Sequence, residues 1–378
     1  MAATSIAGVP LRAELAGGSA LVTASGPLAP GAFAAELSTY RSTSRTGIAA
    51  TPCAAARPDW WFTGVDTGVG TTTHLELANP GAGVAVVDLE LFGPDGGISA
   101  PGAHDVALAP RSRTSVDLAG LAPGLPALLL HVAATRGTVA AAVSVTRLDG
   151  RTPAGVDWVA ASSAPRPKLV VDAGLAGATR QQLVVANPGT RQQLVAIRVL
   201  DTTGAFVPSG LPDVQVPPGA VVVRDITAIT GGDAAAIEVS AGKPIAAAIR
   251  SAVSAQRRDF TLATANAPLT SPAVVPTMAG SRLALAVTAT TSTPATVTVA
   301  AFDGSGAPLQ VVQLRAGGGT TTPWLLPARS AAAYVVVSSE GGAVQAVATY
   351  TGAAGAAQLP VLPGSYRVLQ PAVTAGYP

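Results

Sequence analysis

The residues of this chain best suited to ligand binding are tryptophans that lie close to arginines and aspartates. Trp158 directly follows Asp157, and Arg147, Asp149 and Arg151 lie shortly before them. A tryptophan beside arginine and aspartate commonly holds a sugar, because the indole stacks on the sugar ring while the charged groups hydrogen-bond its hydroxyls. In the alternative, the aromatic group fills the end of a β-sandwich and the aspartate caps a turn. We favour this alternative, because the chain has few aromatic residues for its cores.

A second tryptophan candidate comes from the pair Trp60-Trp61. Adjacent residues of a β-strand point to opposite faces, so one indole is expected in the core and the other outside. The outward indole is the best single candidate for a contact surface. The candidate ligand-binding residues are therefore Trp61, Arg147, Asp149, Arg151, Asp157 and Trp158.

Other residues that could carry catalysis or bind metal are scattered. His74, His104 and His131 each lack a second ligand at metal spacing, so we expect no metal site. The chain has no nucleophile elbow, no HExxH and no phosphate-binding loop. Asp88 and Glu90 share one strand face, which is more typical of a solvated outer face than of a glycosidase pair. We expect a non-enzyme without catalytic residues or cofactors.

The elements that must position these residues follow from a repeated hairpin. Thr72–Phe92 contains two runs of alternating apolar and polar residues on either side of Asn79-Pro80-Gly81. Alternation of period two predicts strands, and Asn-Pro-Gly predicts a tight reversal between them. The pattern returns at 181–206 and, more weakly, at 282–308.

The predicted fold class is all-β, with tandem antiparallel β-sandwich domains; a β-propeller is the alternative. Short strands separated by frequent turn signals favour sandwiches, and no blade signature recurs at half the repeat spacing. The predicted domains are a partial β-domain at 1–52, β-sandwich units at 53–163 and 164–266, and a third unit with a C-terminal strand at 267–378.

The partial domain is predicted from a resemblance within the chain. Ser19–Ser42 resembles Ala235–Ser254, since each reads as a strand, a Gly- and Pro-containing turn and an Ala-rich strand that ends near an arginine. The chain therefore opens on the second half of a repeat. The segment from Tyr366 to Gly376 resembles the first strand of a further unit, which leaves open whether it or other residues complete the N-terminal half domain.

Composition excludes several classes of function. The net charge is +2 and charged residues make up 12% of the chain, with no extended basic cluster, so nucleic-acid binding is disfavoured. No apolar run reaches the length of a transmembrane helix, and the N-terminus lacks the features of a signal peptide. Cys53 is the single cysteine, which is unremarkable in the cytosol but requires a partner in a secreted protein.

The motifs WWFTG, LELANPG, LFGPDG, APRSRTSVDL and TRLDGRTPAGVDWV carry a resemblance to a known family. From about residue 20 onward the chain resembles an actinobacterial envelope family that is described only as a domain of unknown function, most strongly between Cys53 and Val159. Members are secreted or membrane-anchored and usually carry another cysteine upstream. The resemblance implies that Cys53 forms a disulfide with a cysteine outside this chain.

More distantly, one unit is similar to the sensory-rhodopsin-transducer superfamily of β-sandwiches, for which small-molecule binding has been supposed. Neither family has catalytic residues to transfer. The expected function is a non-enzymatic scaffold or interaction module of the bacterial cell envelope, secreted or anchored by an N-terminal segment that this chain lacks. The alternatives are a glycan or small-ligand binding protein, and an accessory subunit of a cell-wall glycosyltransferase or hydrolase. The expected partners are an envelope protein or a cell-wall glycan.

Overall fold

The computed structural model describes residues 6–15, 20–26, 29, 31–254 and 258–364. It consists almost entirely of antiparallel strands, which confirms the predicted all-β class. The strands group into three units and an N-terminal hairpin. In each unit we call the sheet that contains its last strand the inner sheet and the facing sheet the outer sheet.

Unit 1 contains strands β3 to β11. Its outer sheet has the order β3-β9-β5-β6 with β7 on β5, and its inner sheet has the order β11-β10-β4-β8. Trp60 and Leu89 of the outer sheet meet Leu75 and Val143 of the inner sheet in one apolar core. The elements are β3 Asp59–Val65, β4 Thr71–Asn79, β5 Ala85–Gly93, β6 Gly96–Ile98, β7 Val106–Leu108, β8 Ser112–Asp117, α1 Leu118–Leu121, β9 Leu128–Arg136, β10 Ala140–Asp149 and β11 Thr152–Val159.

Unit 2 repeats this order, with one long strand shared by its two sheets. The first half of β18 pairs with β12 and β14 in the outer sheet, and its second half pairs with β13 and β19 in the inner sheet. The elements are β12 Arg166–Val171, β13 Arg180–Ala186, β14 Gln193–Leu200, β15 Ala205–Phe206, β16 Val214–Val216, β17 Val221–Asp225, α2 Thr227–Thr230, β18 Ala236–Ala252 and β19 Phe260–Thr264.

Unit 3 has an outer sheet of order β20-β25-β22-β23 and an inner sheet of order β24-β21-β26-β27. The N-terminal hairpin, β1 Ala35–Arg41 and β2 Thr46–Pro52, packs onto the core of this unit through Ile48 and Ala50. The elements of unit 3 are β20 Ala273–Pro276, β21 Ser281–Ala289, β22 Ala295–Phe302, β23 Pro308–Ala316, β24 Thr321–Leu325, β25 Tyr334–Gly341, β26 Val344–Gly352 and β27 Gly355–Pro360.

The alternation of the repeated hairpin explains why each unit is a sandwich. In β4 the side chains of Thr73, Leu75 and Leu77 are buried while the residues between them are half-buried, and β5 alternates in the same way. One face of each strand therefore enters the core and the other faces away from it. Facing sheets with a core between them are not propeller blades, and the described residues form no closed propeller.

Asn79 holds the reversal of the first hairpin from inside. Its Nδ2 donates to the carbonyl oxygens of Gly83, Leu108 and Ala109 at 2.8, 3.2 and 3.0 Å, and its Oδ1 accepts from Gly81 N at 2.9 Å. Asn187 repeats the arrangement in unit 2, with Nδ2 bonds of 2.8 to 3.1 Å to three carbonyl groups. Ala289 ends the corresponding strand of unit 3, which therefore lacks this amide. The asparagine, rather than the proline or glycine, is the residue that ties the turn to the sheet.

The structure differs from the sequence prediction at the Gly-Lys-Pro segment of unit 2. We predicted a turn between two strands there, but β18 runs through it without a break. Pro244 has no partner in either ladder, because it lies where the strand crosses from one sheet to the other, and proline is tolerated at such a position. Lys243 N donates to Gln193 Oε1 at 3.1 Å, which fixes the crossing.

The N-terminal half domain is also simpler than predicted. The strand expected just after Ser19 is absent from residues 20–26, and only the hairpin of β1 and β2 is formed. The segment from Tyr366 to Gly376 lies outside the described residues. Neither of the two short helices, α1 and α2, is long and apolar enough to span a membrane, and the rest of the described chain has no helix that is.

We expect Asn187→Ala to lower the free energy of unfolding by about 2 kcal/mol or more, because one buried and two partly buried carbonyl groups lose their donor. Asn187→Asp should destabilise further at neutral pH, since a carboxylate would face those carbonyl oxygens, and should recover as the pH falls. Chemical denaturation of both variants across pH tests this. Wild-type stability of both variants would contradict the assignment.

Candidate functional site: a buried polar centre and two tryptophan surfaces

The last strands of the units and of the hairpin meet around one carboxylate. Strand β2 contacts β11, β11 contacts β19, β19 contacts β27, and β27 contacts β2. Asp259 immediately precedes β19 and is 4% exposed. Its Oδ2 accepts from Ile48 N at 3.1 Å and Ala356 N at 3.0 Å, and its Oδ1 accepts from Val156 N at 3.2 Å. One side chain thus joins four strands that are distant in the sequence.

The residue before each donating amide is a glycine. A Cβ on Gly47 or Gly155 would lie 2.7 or 2.8 Å from Asp259 Oδ1, and one on Gly355 would overlap Oδ2. All three glycines also have positive φ angles, of 144°, 126° and 153°. The carboxylate therefore occupies space that side chains at the three matching positions would need.

The protonation of Asp259 is a balance between burial and these amides. Burial raises the pKa of Asp259 to about 7, while the backbone hydrogen bonds favour its charged form. Asp157 lies close by, fully buried, and its Oδ1 accepts from Trp158 N at 2.9 Å. Burial, together with the charge of Asp259, raises the pKa of Asp157 well above its usual range. Burial and the neighbouring carboxyl group of Asp259 therefore both oppose a charge on Asp157.

Arg147 and Arg250 provide positive charge beside this pair, where unit 1 meets unit 2. Arg147 Nη2 lies 2.6 Å from Asp66 Oδ2, and its guanidinium stacks 4.0 Å from the ring centroid of Phe260 in unit 2. Arg250 Nη2 donates to Gly64 O at 2.9 Å, and its Nη1 lies 3.8 Å from Asp66 Oδ2. Burial lowers the pKa of Arg250 to about 10, so it stays charged at neutral pH. These contacts join two units.

A second buried acid lies in unit 2, directly after β12. Asp172 Oδ2 accepts from Asn266 Nδ2 at 2.9 Å, and Oδ1 has no partner within the described chain. Burial raises the pKa of Asp172 to about 7. Asp66 occupies the same place after the first strand of unit 1, where an arginine compensates its charge.

The structure divides the six candidate ligand residues among different places. Arg147 and Asp157 are in the buried centre, where they hold units together. Asp149 and Arg151 lie at the exposed turn between β10 and β11, and Asp149 Oδ2 pairs with Arg258 Nη1 at 2.9 Å. Trp158 is half-buried on β11, and Trp61 belongs to the other sheet of the unit.

Trp61 is largely engaged with neighbouring side chains. Its ring stacks on His131 with centroids 3.8 Å apart, and its Nε1 donates to Asp59 Oδ2 at 2.9 Å. His131 in turn contacts Asp59 Oδ1 at 2.7 Å and Glu90 Oε2 at 2.9 Å. Trp61 also packs against the apolar seam with unit 2, whereas Trp60 is buried in the core of unit 1 at 1% exposure. A groove of about 240 Å³ adjoins Trp61. Its other lining residues are Arg57, Pro58, Asp59 and residues 162–164.

Several residues of these sites were missed by the sequence reasoning. Asp59, Glu90 and His131 share a surface with Trp61 because β3, β9 and β5 are neighbours, and that order is not visible along the chain. The buried centre did leave a signal in the sequence. Glycine is the middle residue at three matching positions, in Thr46-Gly47-Ile48, Ala154-Gly155-Val156 and Ala354-Gly355-Ala356, and aspartate replaces it at the fourth, in Arg258-Asp259-Phe260.

Two further observations concern metals and the thiol. Among the described residues, no three His, Cys, Asp or Glu side chains are grouped so that they could hold a metal ion. Cys53 is exposed just after β2, and its pairing with a cysteine outside this chain stays a prediction.

The fold and the buried centre define a protein of sandwich units joined by inter-unit polar contacts. Within this class the chain belongs to the family of unknown function DUF5719, whose model matches residues 9–326. No curated protein matches the chain. A chain from the atomic structure of Sulfolobus turreted icosahedral virus is similar at 12% identity, over 85% of this chain and 89% of that one, with a TM-score of 0.15, a likeness too low to carry an argument.

Asp259→Gly places glycine at all four matching positions and leaves buried amides without their acceptor. We expect the free energy of unfolding to fall by about 3 kcal/mol or more. Formate or acetate should restore part of the melting temperature, because a small carboxylate can enter the vacated space. Asp149→Gly, at an exposed turn, is the control and should not respond. If Asp259→Gly does not fold, Asp259→Asn is measured instead. Wild-type stability of either variant would refute the role of this carboxylate.

The raised pKa of Asp172 makes stability depend on pH. The folded protein binds this proton more tightly than the unfolded chain between about pH 4 and pH 7, so its contribution is lost as the pH rises through that range. Asp172→Asn should therefore flatten the pH dependence and stabilise the protein most above pH 7. Urea unfolding at several pH values measures this, with the exposed Asp149→Asn as control. Parallel curves for wild type and Asp172→Asn would show the assignment to be wrong.

Proposed function

We propose that the protein is a non-enzymatic scaffold or interaction module that works outside the cytoplasmic membrane, in the envelope of an actinobacterium. The observation that carries this proposal is that the buried ionisable groups join strands and units to one another. Asp259 joins four strands, and Arg147 and Arg250 join two units. Groups engaged in this way support a rigid frame that holds surfaces in fixed positions.

The proposed location is supported by the resemblance of the sequence motifs to envelope proteins. It requires a partner for Cys53, the single cysteine, which is exposed, because an exposed unpaired thiol would be unusual in an oxidising compartment. We propose that this partner is a cysteine outside this chain.

The test is carried out on the full-length product of the gene in its own cells. We expect it in the envelope or secreted fraction, with Cys53 modified by a maleimide mass tag only after reduction. Cys53→Ser is the labelling control. A cytosolic protein whose Cys53 is labelled without reductant would refute the location. Co-purification of a stoichiometric glycosyltransferase or hydrolase would favour the accessory-subunit alternative.

A second candidate function, binding of a small ligand, is favoured by the groove beside Trp61. Its volume of about 240 Å³ is small, and Arg57, Asp59 and Ser162 supply polar groups at its wall. A ligand there would be no larger than about one sugar ring, since sites for drug-sized ligands begin near 300 Å³. Thermal-shift screening of monosaccharides and metabolites against wild type and Trp61→Ala would detect it. A shift that persists in Trp61→Ala would place the ligand elsewhere.

A further inference from the structure

The outward faces of two inner sheets are covered by the preceding unit. Val184 and Val221 of unit 2 pack against Ala127 and Leu129 of unit 1. In the same way, Ala286 and Val347 of unit 3 pack with residues of unit 2, including Leu200. Both covered faces are apolar at their centres, as expected for buried contacts between sheets.

The corresponding face of unit 1 is polar. Glu76 lies three residues before Asn79, as Val184 lies three residues before Asn187. Its neighbours across the sheet are Ala142 and Ser115. In unit 2 the matching neighbours are Ala248 and Val223. Ser115 is exposed, and its hydroxyl donates to Glu76 Oε1 at 2.8 Å. A covering sheet would bury this carboxylate without a countercharge, at a large cost in free energy.

A continuous row of polar and aromatic residues crosses this open face of unit 1. The strand registers place Trp158 opposite Ser144, Ser144 opposite His74, and His74 opposite Asp117. Side chains at directly opposed positions of neighbouring strands lie about 5 Å apart. The four residues therefore form one line across the sheet, with Glu76 and Ser115 in the next line.

The side chains of this row are half-buried or exposed. Within the described part of the chain, Ser144, His74 and the Trp158 indole make no hydrogen bond, ion pair or ring contact. Asp117 Oδ1 accepts from Ala119 N at 3.0 Å and leaves Oδ2 free of bonds within the same residues. Trp61 differs, because stacking, a hydrogen bond and the seam with unit 2 engage it.

The side of strand β1 that faces away from unit 3 is polar too. Leu37 and Ala50 are register partners and pack onto unit 3, so Glu36, Ser38 and Tyr40 lie on the other side of β1. The hairpin contacts unit 1 through β2 and β11, the strand that carries Trp158. The hairpin therefore adjoins the open face at the edge strand that carries Trp158.

We propose that the open face of unit 1 binds a neutral polysaccharide chain that lies across its strands. Trp158 stacks on one sugar ring of the polysaccharide. The hydroxyl groups of the adjacent sugar units form hydrogen bonds with Ser144, His74, Glu76 and Asp117. The charges of the face disfavour an anionic polymer, because two carboxylates, Glu76 and Asp117, outnumber the one arginine, Arg113, at its edge. This proposal adds a ligand to the proposed scaffold and does not depend on where the scaffold is located.

The test uses the purified chain and oligosaccharide probes in isothermal titration calorimetry. The probes are hexasaccharides of glucose, mannose, galactose and arabinose, with polygalacturonate as the anionic polymer. We expect wild type to bind at least one neutral hexasaccharide and to bind polygalacturonate more weakly. Trp158→Ala should weaken that binding by about tenfold or more.

Matched variants show whether the open face, rather than the groove beside Trp61, holds the sugar. Trp61→Ala should bind the hexasaccharide as wild type does. Glu76→Val combined with Ser115→Val gives unit 1 the residues of unit 2 and should abolish binding while the melting temperature stays close to that of wild type. Failure of wild type to bind any neutral hexasaccharide at millimolar concentration, preference for polygalacturonate, or equal loss in Trp61→Ala would each overturn the proposal. None of these results bears on the labelling of Cys53, so the two proposals fail independently.

Discussion

The arrangement of the units depends on one carboxylate bound by backbone amides from different parts of the chain. Asp259 accepts hydrogen bonds from β2, β11 and β27 and itself immediately precedes β19. A buried carboxylate is costly unless several donors surround it, and here those donors are amides that would otherwise lie buried without a partner. The acid and the four strands therefore stabilise one another. The glycines at 47, 155 and 355 are the consequence, since only they leave room for the carboxylate.

The same constraint accounts for the charges nearby. The guanidinium group of Arg147 interacts electrostatically with Asp66, Asp157 and Asp259, and that of Arg250 with Asp66, so positive and negative groups offset one another in the buried centre. Such a group of charges is stable only while the units stay in place, because removing one partner leaves an uncompensated charge in the interior. The polar contacts of the buried centre and the apolar contacts between neighbouring units thus stabilise the same arrangement of units. The buried aspartates and arginines therefore join strands of different units, although the same residue types on a surface would be candidates for catalysis or ligand binding.

Local patterns in the sequence were enough to predict much of the fold. Alternation through Val84–Phe92 and Leu194–Asp201 predicted the strands that became β5 and β14, and Asn-Pro-Gly predicted their hairpins. The continuity of β18 was missed, because Gly242 and Pro244 signal a turn, whereas the exchange of one strand between two sheets depends on partners far away in the chain. The short helices α1 and α2 were missed because four residues give no period to detect.

The candidate site was harder to predict than the fold, for a reason visible in Asp157 and Trp158. Adjacent strand residues point to opposite faces, so these two never belonged to one surface, and the structure has Asp157 in the centre and Trp158 outside. Which side of a strand meets solvent depends on whether another unit covers it. Unit 1 covers the inner sheet of unit 2 with its outer sheet, yet neither apolar cluster between units of the described chain covers its own inner sheet. An indole there is available, whereas Trp61, on the covered side, is already held by His131 and Asp59. The position of a tryptophan in the assembly of units, rather than the residues that flank it in the sequence, decides whether it can bind a ligand.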